Sequence, residues 1–473
     1  MSRTGATRLL HSARRIAPLA WPVFVGQLAV LAFATIDTIL VARYAALDLA
    51  ALAIGGAAYV SVFVGLMGVV LAVGPIAGQL FGAGKLRECG QQLHQAMWLA
   101  LALSVIGCTV LLFPQPFLSL SRASPEVAAK VRAHLAALAF ALPPALLFTA
   151  FRGFNTAVSR PKVVMALQLV ALLVKLPLTA LLVFGISLPT PLGELHIAAL
   201  GAPGCGVATA IVMTGQMLVA WQLLRRDPFY ARFEIGARLA TPHRASLAAL
   251  LRLGVPMGLS IAIEVTGFTF MAFFISRIGA TPVAGHQIAV NLVSLMFMMP
   301  LAIANASSTL VAQRIGAGDL ADARRLGWHG LEAGVLIATM MGAAVYLLRE
   351  NILRLYTHDA VIIGAALPLL AWVAVFHIAD AAQTVAAFVL RAYRVATAPL
   401  VIYAVAIWGV GLGGGYALAF GNVGFAPTAL QGSLGFWSAA TLGLVLAGVG
   451  MSAFLAWILR RSHAAGAAFK HAA

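Results

Sequence analysis

Apolar stretches of about 19 to 28 residues alternate with short polar connectors along almost the whole chain. A helix needs about 20 predominantly apolar residues to cross the hydrocarbon core of a bilayer. The pattern therefore predicts twelve transmembrane helices, at roughly 16–40, 50–76, 93–113, 134–152, 163–185, 199–223, 250–276, 283–310, 328–347, 365–390, 397–420 and 434–459. The stretches are continuous rather than alternating over about ten residues, which excludes a membrane β-barrel. The expected fold class is an all-α polytopic membrane protein. Its longest polar connector runs from Arg225 to about Arg252 and parts two six-helix bundles. The expected domains are residues 1–224 and 250–473, joined by a cytoplasmic linker at 225–249.

The two halves repeat. Moving 234 positions along the chain takes Pro22 to Pro256 and Arg43 to Arg277. The same step takes Gln79, Gly82, Ala83, Gly84 and Leu86 to Gln313, Gly316, Ala317, Gly318 and Leu320. Six spans per half place the second copy in the same orientation as the first, a parallel repeat about an axis along the membrane normal. Proteins so built bind substrate near the midplane at the repeat interface and alternate access by rocking one part against the other.

Composition agrees: 62% of residues are hydrophobic and 10% charged, with a mean hydropathy of +0.97. A soluble protein carries about 25% charged residues. The formal charge of +17 would suit a nucleic-acid partner if the bases formed one surface, but they lie in short loops. With the N-terminus inside, 23 of the 31 Lys and Arg fall on inner segments, seven fall on outer loops, and Lys175 lies within a span. This asymmetry predicts that both termini lie on the cytoplasmic side. Arg3, Arg8, Arg14 and Arg15 before an apolar run resemble a signal peptide, and Ala32-Phe33-Ala34 mimics a cleavage site. The run continues to Val41 and eleven more spans follow, so a retained first helix is expected. Cys89, Cys108 and Cys205 have no metal or disulfide spacing and are expected to pack as small apolar residues.

The chemistry rests on polar residues inside the spans. Of fourteen acids, three are intramembrane: Asp37 in span 1, Glu264 in span 7 and Asp380 in span 10. A charge at the bilayer centre costs at least about 2.5–3.5 kcal/mol, and residues kept at that cost mark ion or substrate paths. Burial raises a carboxylate's pKa and a bound cation lowers it. One site can therefore hold a proton, a metal cation or an organic cation in competition, which is the chemistry of an antiporter. Asp380, Gln383 and Thr384 share a helix face at i, i+3, i+4, and Gln287 and Asn291 lie at i, i+4 in span 8. Oxygen ligands of this kind suit hard cations such as sodium. Interhelical hydrogen bonding is the competing role for Gln287, Asn291 and Gln383. Lys175 either pairs with a carboxylate such as Asp37 or snorkels to the inner surface. His286 is expected near an outer helix end, solvated or hydrogen-bonded. Met296, Met298 and Met299, with Phe297, form an apolar patch suited to ordinary packing or to varied ligands.

Gly411-Leu412-Gly413-Gly414-Gly415 follows no strand, so it is no nucleotide loop. The chain has no G-x-x-x-x-G-K-[ST], H-E-x-x-H or G-x-S-x-G motif. No catalytic residue or cofactor is expected.

Gly254-Val255-Pro256 with Glu264, Ala284-Gly285-His286-Gln287-Ile288-Ala289-Val290-Asn291 and Phe297-Met298-Met299-Pro300 resemble the multidrug and toxic compound extrusion (MATE) family in its bacterial NorM-type branch. Asp37-Thr38, Gly74-Pro75, Gly204–Ala210 and Asp380-Ala381-Ala382-Gln383 with Leu390-Arg391 extend the likeness over almost the whole chain. The resemblance implies twelve helices in two bundles and export of small cationic amphiphilic drugs against inward sodium or proton flow. It implies cation binding by Glu264 and Asp380, with sodium there if the protein is sodium-coupled, and a protonation or substrate role for Asp37. Ala42, Thr179 and Ala392 depart from the family pattern, and Thr179 weakens the carry-over around Asp37. A monomer is expected, with membrane lipid as its other partner. A flippase for lipid-linked precursors in the same superfamily is the alternative within transport, and an intramembrane enzyme the alternative outside it.

Overall fold

A computed structural model describes residues 3–121, 124–190, 193–236, 240–421 and 430–471. Arg122, read from the sequence as an outer-loop base, and Arg238, read as a base of the 225–252 connector, lie outside them. The helices are α1 (Arg3–Ala42), α2 (Ala46–Val70), α3 (Val73–Gly82), α4 (Leu86–Leu112), α5 (Gln115–Ser121), α6 (Pro125–Ala157), α7 (Pro161–Phe184), α8 (Ala202–Arg226), α9 (Pro228–Ala231), α10 (Arg244–Ser276), α11 (Ala280–Gly316), α12 (Leu320–Tyr356), α13 (Ala360–Ala392), α14 (Thr397–Tyr403), α15 (Gly415–Ala419) and α16 (Ser433–His471). A π-helix, Ala404–Gly414, joins α14 to α15. Strands β1 (Ile186–Thr190) and β2 (Gly193–Ile197) form an antiparallel hairpin between α7 and α8, an addition to the all-α expectation.

Twelve stretches among the described residues are long and apolar enough to cross a membrane, and each overlaps one of the spans read from the sequence. The protein is a multi-pass membrane protein. The second span is α2 plus α3, broken at Leu71 and Ala72 ahead of Pro75, and the eleventh is α14, the π-helix and α15. Most helices outrun their apolar cores. α11 has 37 residues, about 55 Å at about 1.5 Å per residue, against a hydrocarbon layer of about 30 Å. Hydropathy ends at the lipid boundary, whereas the backbone hydrogen bonds continue until a cap stops them.

Acids outside the spans supply several such caps. Asp359 Oδ1 accepts the N–H of Val361 at 2.8 Å to start α13, and Asp319 Oδ1 accepts that of Asp322 at 3.0 Å to start α12. The repeated Q-x-x-G-A-G motif is a helix stop. α3 ends at Gly82 and α11 at Gly316, and two residues on Gly84 and Gly318 adopt φ of 74° and 76°. Only glycine takes that left-handed geometry without a Cβ penalty. The repeat persists where identity has faded: Ser159 and Arg394, each two residues past the ends of α6 and α13, have φ of 61° and 59°.

The chain forms two compact units. One holds residues 1–24, 82–84 and 259–473, the other 25–81 and 85–258. Both α1 and α10 are shared between units, and the divisions, after Phe24 and after Gly258, are themselves 234 positions apart. In the first unit Ala302, Ala304, Ala306 and Ala312 of α11 interleave with Val385, Ala386 and Val389 of α13. Small residues let these backbones approach closely where no hydrophobic drive separates helix from lipid.

Candidate functional site

In the unit containing the C-terminal spans, Glu264 on α10 and Asp380 on α13 line one cavity of about 470 Å³, counting its open mouth. Its walls are apolar, among them Phe268, Met271 and Phe376, and the Phe268 and Phe376 rings meet edge-on at 5.8 Å. Ile407, Gly411 and Leu412 place the π-helix on the same cavity. Gly411 and Leu412 of the glycine run thus belong to the wall.

Asp380 is 3% exposed and Gln383 is fully enclosed. Gln383 Nε2 donates to Asp380 Oδ1 at 2.8 Å and to Thr384 Oγ1 at 3.0 Å. The Tyr403 hydroxyl donates to Gln383 Oε1. The i, i+3, i+4 grouping is therefore assembled, with Gln383 held between Asp380 and Tyr403. Arg391 follows the tenth span, 365–390, and by that reading is a loop base. The structure corrects this: it lies in the last turn of α13, buried, with its guanidinium 4.3 Å from the Phe388 ring centre and close enough to act electrostatically on Glu264. A cavity with two carboxylates, few polar neighbours and aromatic walls attracts cations that carry apolar surface.

Gln287 and Asn291 lie elsewhere. Both are exposed on α11, neither lines the cavity, and Asn291 Oδ1 accepts the Tyr356 hydroxyl at 2.8 Å. His286 is neither solvated nor hydrogen-bonded at Nδ1, contrary to expectation. It is 1% exposed, with its ring 5.9 Å from that of Trp437. Packing against α13, where Gly285 abuts Ala366, encloses it.

In the other unit, Lys175 of α7 reaches Asp37 of α1. Its Nζ is 2.9 Å from Asp37 Oδ2 and 2.6 Å from Thr209 Oγ1 of α8, and 5.3 Å from the centre of the Phe33 ring. Pairing, not snorkelling, is what the fold chooses: the side chain is 1% exposed.

Sequence reasoning passed over other buried charges. Asp48 is 2% exposed, accepts the Ala202 N–H at 2.9 Å at the start of α8, and pairs with Lys130 at 2.8 Å. Asp322 is surrounded by the guanidinium groups of Arg15, Arg314 and Arg325. Both acids look like ordinary loop-edge residues, and no spacing announces partners as distant as 82 or 307 positions. The site's least visible member is Tyr403, a single hydroxyl in an apolar run.

The profile described as MatE matches residues 22–181 and again 256–417. The chain belongs to the MatE family. The two matches begin 234 positions apart, at the repeat offset. Relatives of this MatE chain include a probable multidrug resistance protein NorM from Aromatoleum aromaticum, 39% identical, the alignment covering 97% of this chain and 95% of that one. A probable NorM from Chromobacterium violaceum is 34% identical over 98% of this chain and 97% of its own. The multidrug resistance protein MdtK of Pectobacterium atrosepticum is 33% identical over 96% and 97%. The fold is shared with the eukaryotic MATE transporter AtDTX14 at a TM-score of 0.84 and 18% identity, over 97% of this chain and 100% of the other. It is also shared with the Vibrio cholerae MATE transporter VcmN in its bent form, TM-score 0.82 and 17% identity, over 96% and 98%. These are transporters and resistance proteins, and the MatE chain is not an enzyme.

Proposed function

We propose that this MatE protein is a multidrug antiporter of the bacterial inner membrane. It exports small cationic amphiphilic compounds by alternating access, driven by inward flow of sodium ions or protons. The observation that carries the proposal is the placement of Glu264 and Asp380 on one aromatic-walled cavity. Two carboxylates in such surroundings are expensive to leave charged and unpaired. A sodium ion or proton satisfies them, and so does the ammonium or aromatic cation of a drug, whose apolar body fits walls such as Phe268 and Phe376. Mutual exclusion of the two loads couples their flows. Names of relatives that refer to multidrug resistance support the substrate class. The acidic cavity argues against a flippase, because an anionic head group seeks cationic donors.

Glu264 and Asp380 would ligate the ion, and Gln383, bridged to Tyr403, would hold the Asp380 carboxylate in place. Efflux from proteoliposomes under an imposed sodium gradient, at clamped pH and voltage, tests the coupling, and a proton gradient without sodium forms the second arm. Glu264→Gln and Asp380→Asn are each expected to lower gradient-driven efflux at least about a hundredfold while the purified protein stays monodisperse. Full efflux by both variants would remove the basis of the proposal.

A further inference from the structure

A buried lysine beside an intramembrane carboxylate is not needed by the proposed coupling cavity, and its surroundings are specific. Asp37 is reached from α7 by Lys175. From α8 Cys205 acts on Asp37 and Thr209 on Lys175, and from α6 His134, whose Nδ1 bonds the Ala202 carbonyl at 2.9 Å, lies within electrostatic reach of Lys175. The Thr209 hydroxyl donates to the Cys205 carbonyl at 2.8 Å, so its lone pair is left to accept from the Lys175 ammonium at 2.6 Å. The ammonium thus has a carboxylate oxygen, a hydroxyl oxygen and the Phe33 ring around it. Those groups would equally suit a free monovalent cation.

We infer that Lys175 is a resident counterion: it fills the place beside Asp37 that an exchangeable cation would take, so the Asp37 carboxylate carries no coupling cation and coupling is confined to Glu264 and Asp380. The second half of this statement rests on the proposed role of those two acids. A tethered ammonium competes at very high local concentration. Displacing it would also leave a lysine that is 1% exposed without its charge partner. Asp37 Oδ1 is buried with no geometric hydrogen bond, so the carboxylate retains a spare acceptor that becomes usable if the lysine is removed.

The test is a double-substitution cycle on the full-length protein, with ethidium efflux from proteoliposomes and cation binding to the purified chain as readouts. Lys175→Met is expected to bind about one more cation per chain than the unsubstituted protein, as sodium at constant alkaline pH or as a proton on acidification. Lys175→Met with Asp37→Asn is expected to return to the original count and to keep ethidium efflux within about threefold, with unchanged gradient dependence. Asp37→Asn alone strands the lysine and is expected to lose efflux by at least about tenfold. A monodisperse double variant as inactive as Asp37→Asn alone would overturn the inference, as would a Lys175→Met protein that binds no additional cation. If Lys175→Met alone does not fold, efflux by the double variant decides. Failure of the Glu264 and Asp380 reading has a different signature: a Glu264→Gln/Asp380→Asn protein with Lys175 intact would still bind cations and show gradient-driven efflux.

Discussion

At the scale of the residue, this chain treats its carboxylates in two ways. Some are satisfied by groups the fold brings to them, and Glu264 and Asp380 face a cavity. Asp48 belongs to the first kind. It fixes the first N–H of α8 and takes a charge from Lys130, so Asp48→Ala leaves a buried donor without a partner. Such a loss costs about 1–3 kcal/mol, read as a lower thermal unfolding midpoint in detergent with transport chemistry otherwise intact. Asp227, just past the C-terminal end of α8, accepts the Phe229 N–H at 2.9 Å and a hydrogen bond from the Arg160 guanidinium at 2.6 Å. These bonds hold its pKa below the ordinary 3.8. The charged form is the one favoured by folding. Its contribution is present above the ordinary value and is lost as pH falls through the lowered native value. Acid below about pH 4 should therefore loosen the 227–234 segment first, seen as faster amide exchange there than in α8. Arg160→Met should move that loss to higher pH.

At the scale of the element, packing depends on where helices lack side chains. Gly254 and Gly258 of α10, four residues apart, lie against the second span: a Cβ at Gly254 would meet the Val69 carbonyl, and one at Gly258 would come within 2.5 Å of the Gly65 carbonyl. Backbone cannot yield as a flexible side chain does. Gly254→Leu should destabilise by at least about 1–3 kcal/mol, measurable as a lowered unfolding midpoint, whereas Gly56→Leu, where a Cβ would meet no atom within 4 Å, should cost far less. The π-helix is a second such element. Wide π turns are rare and gather at functional sites. Here eleven residues, with Trp408 Nε1 donating to the Ile263 carbonyl at 3.2 Å, set Ile407, Gly411 and Leu412 on the cavity. Hydropathy reads this stretch as one more apolar span, because side-chain character does not distinguish i+4 from i+5 backbone bonding.

At the scale of the molecule, the arrangement is a duplication that kept its scaffold and diversified its chemistry. Val30 stands 234 positions before Glu264, so the first copy has no carboxylate at the matching place. Its own buried acid, Asp37, is matched instead with a lysine. The excess of bases on connectors read as inner predicts that both ends of the chain face the cytoplasm. A fluorescent protein fused after Arg461 should fluoresce and alkaline phosphatase fused there should be inactive, while alkaline phosphatase fused after Gly279 should be active. The opposite result would reverse the proposed direction of every gradient experiment.

The sequence alone determined the membrane fold, the twelve spans, the internal repeat and the two acids that prove to share a cavity. These follow from local rules: a bilayer imposes a length of apolar helix, duplication leaves residues in register, and a charge in a long apolar run stands out whatever surrounds it. Tertiary structure alone decided the partners. The choice between pairing and snorkelling for Lys175, the buried setting of Arg391, the bridge from Tyr403 through Gln383 to Asp380, and the separation of Gln287 and Asn291 from that cavity all depend on which helix faces meet. Periodicity within one helix tells which residues share a face. It carries no information about which other helix, 65 or 138 positions away, that face will meet.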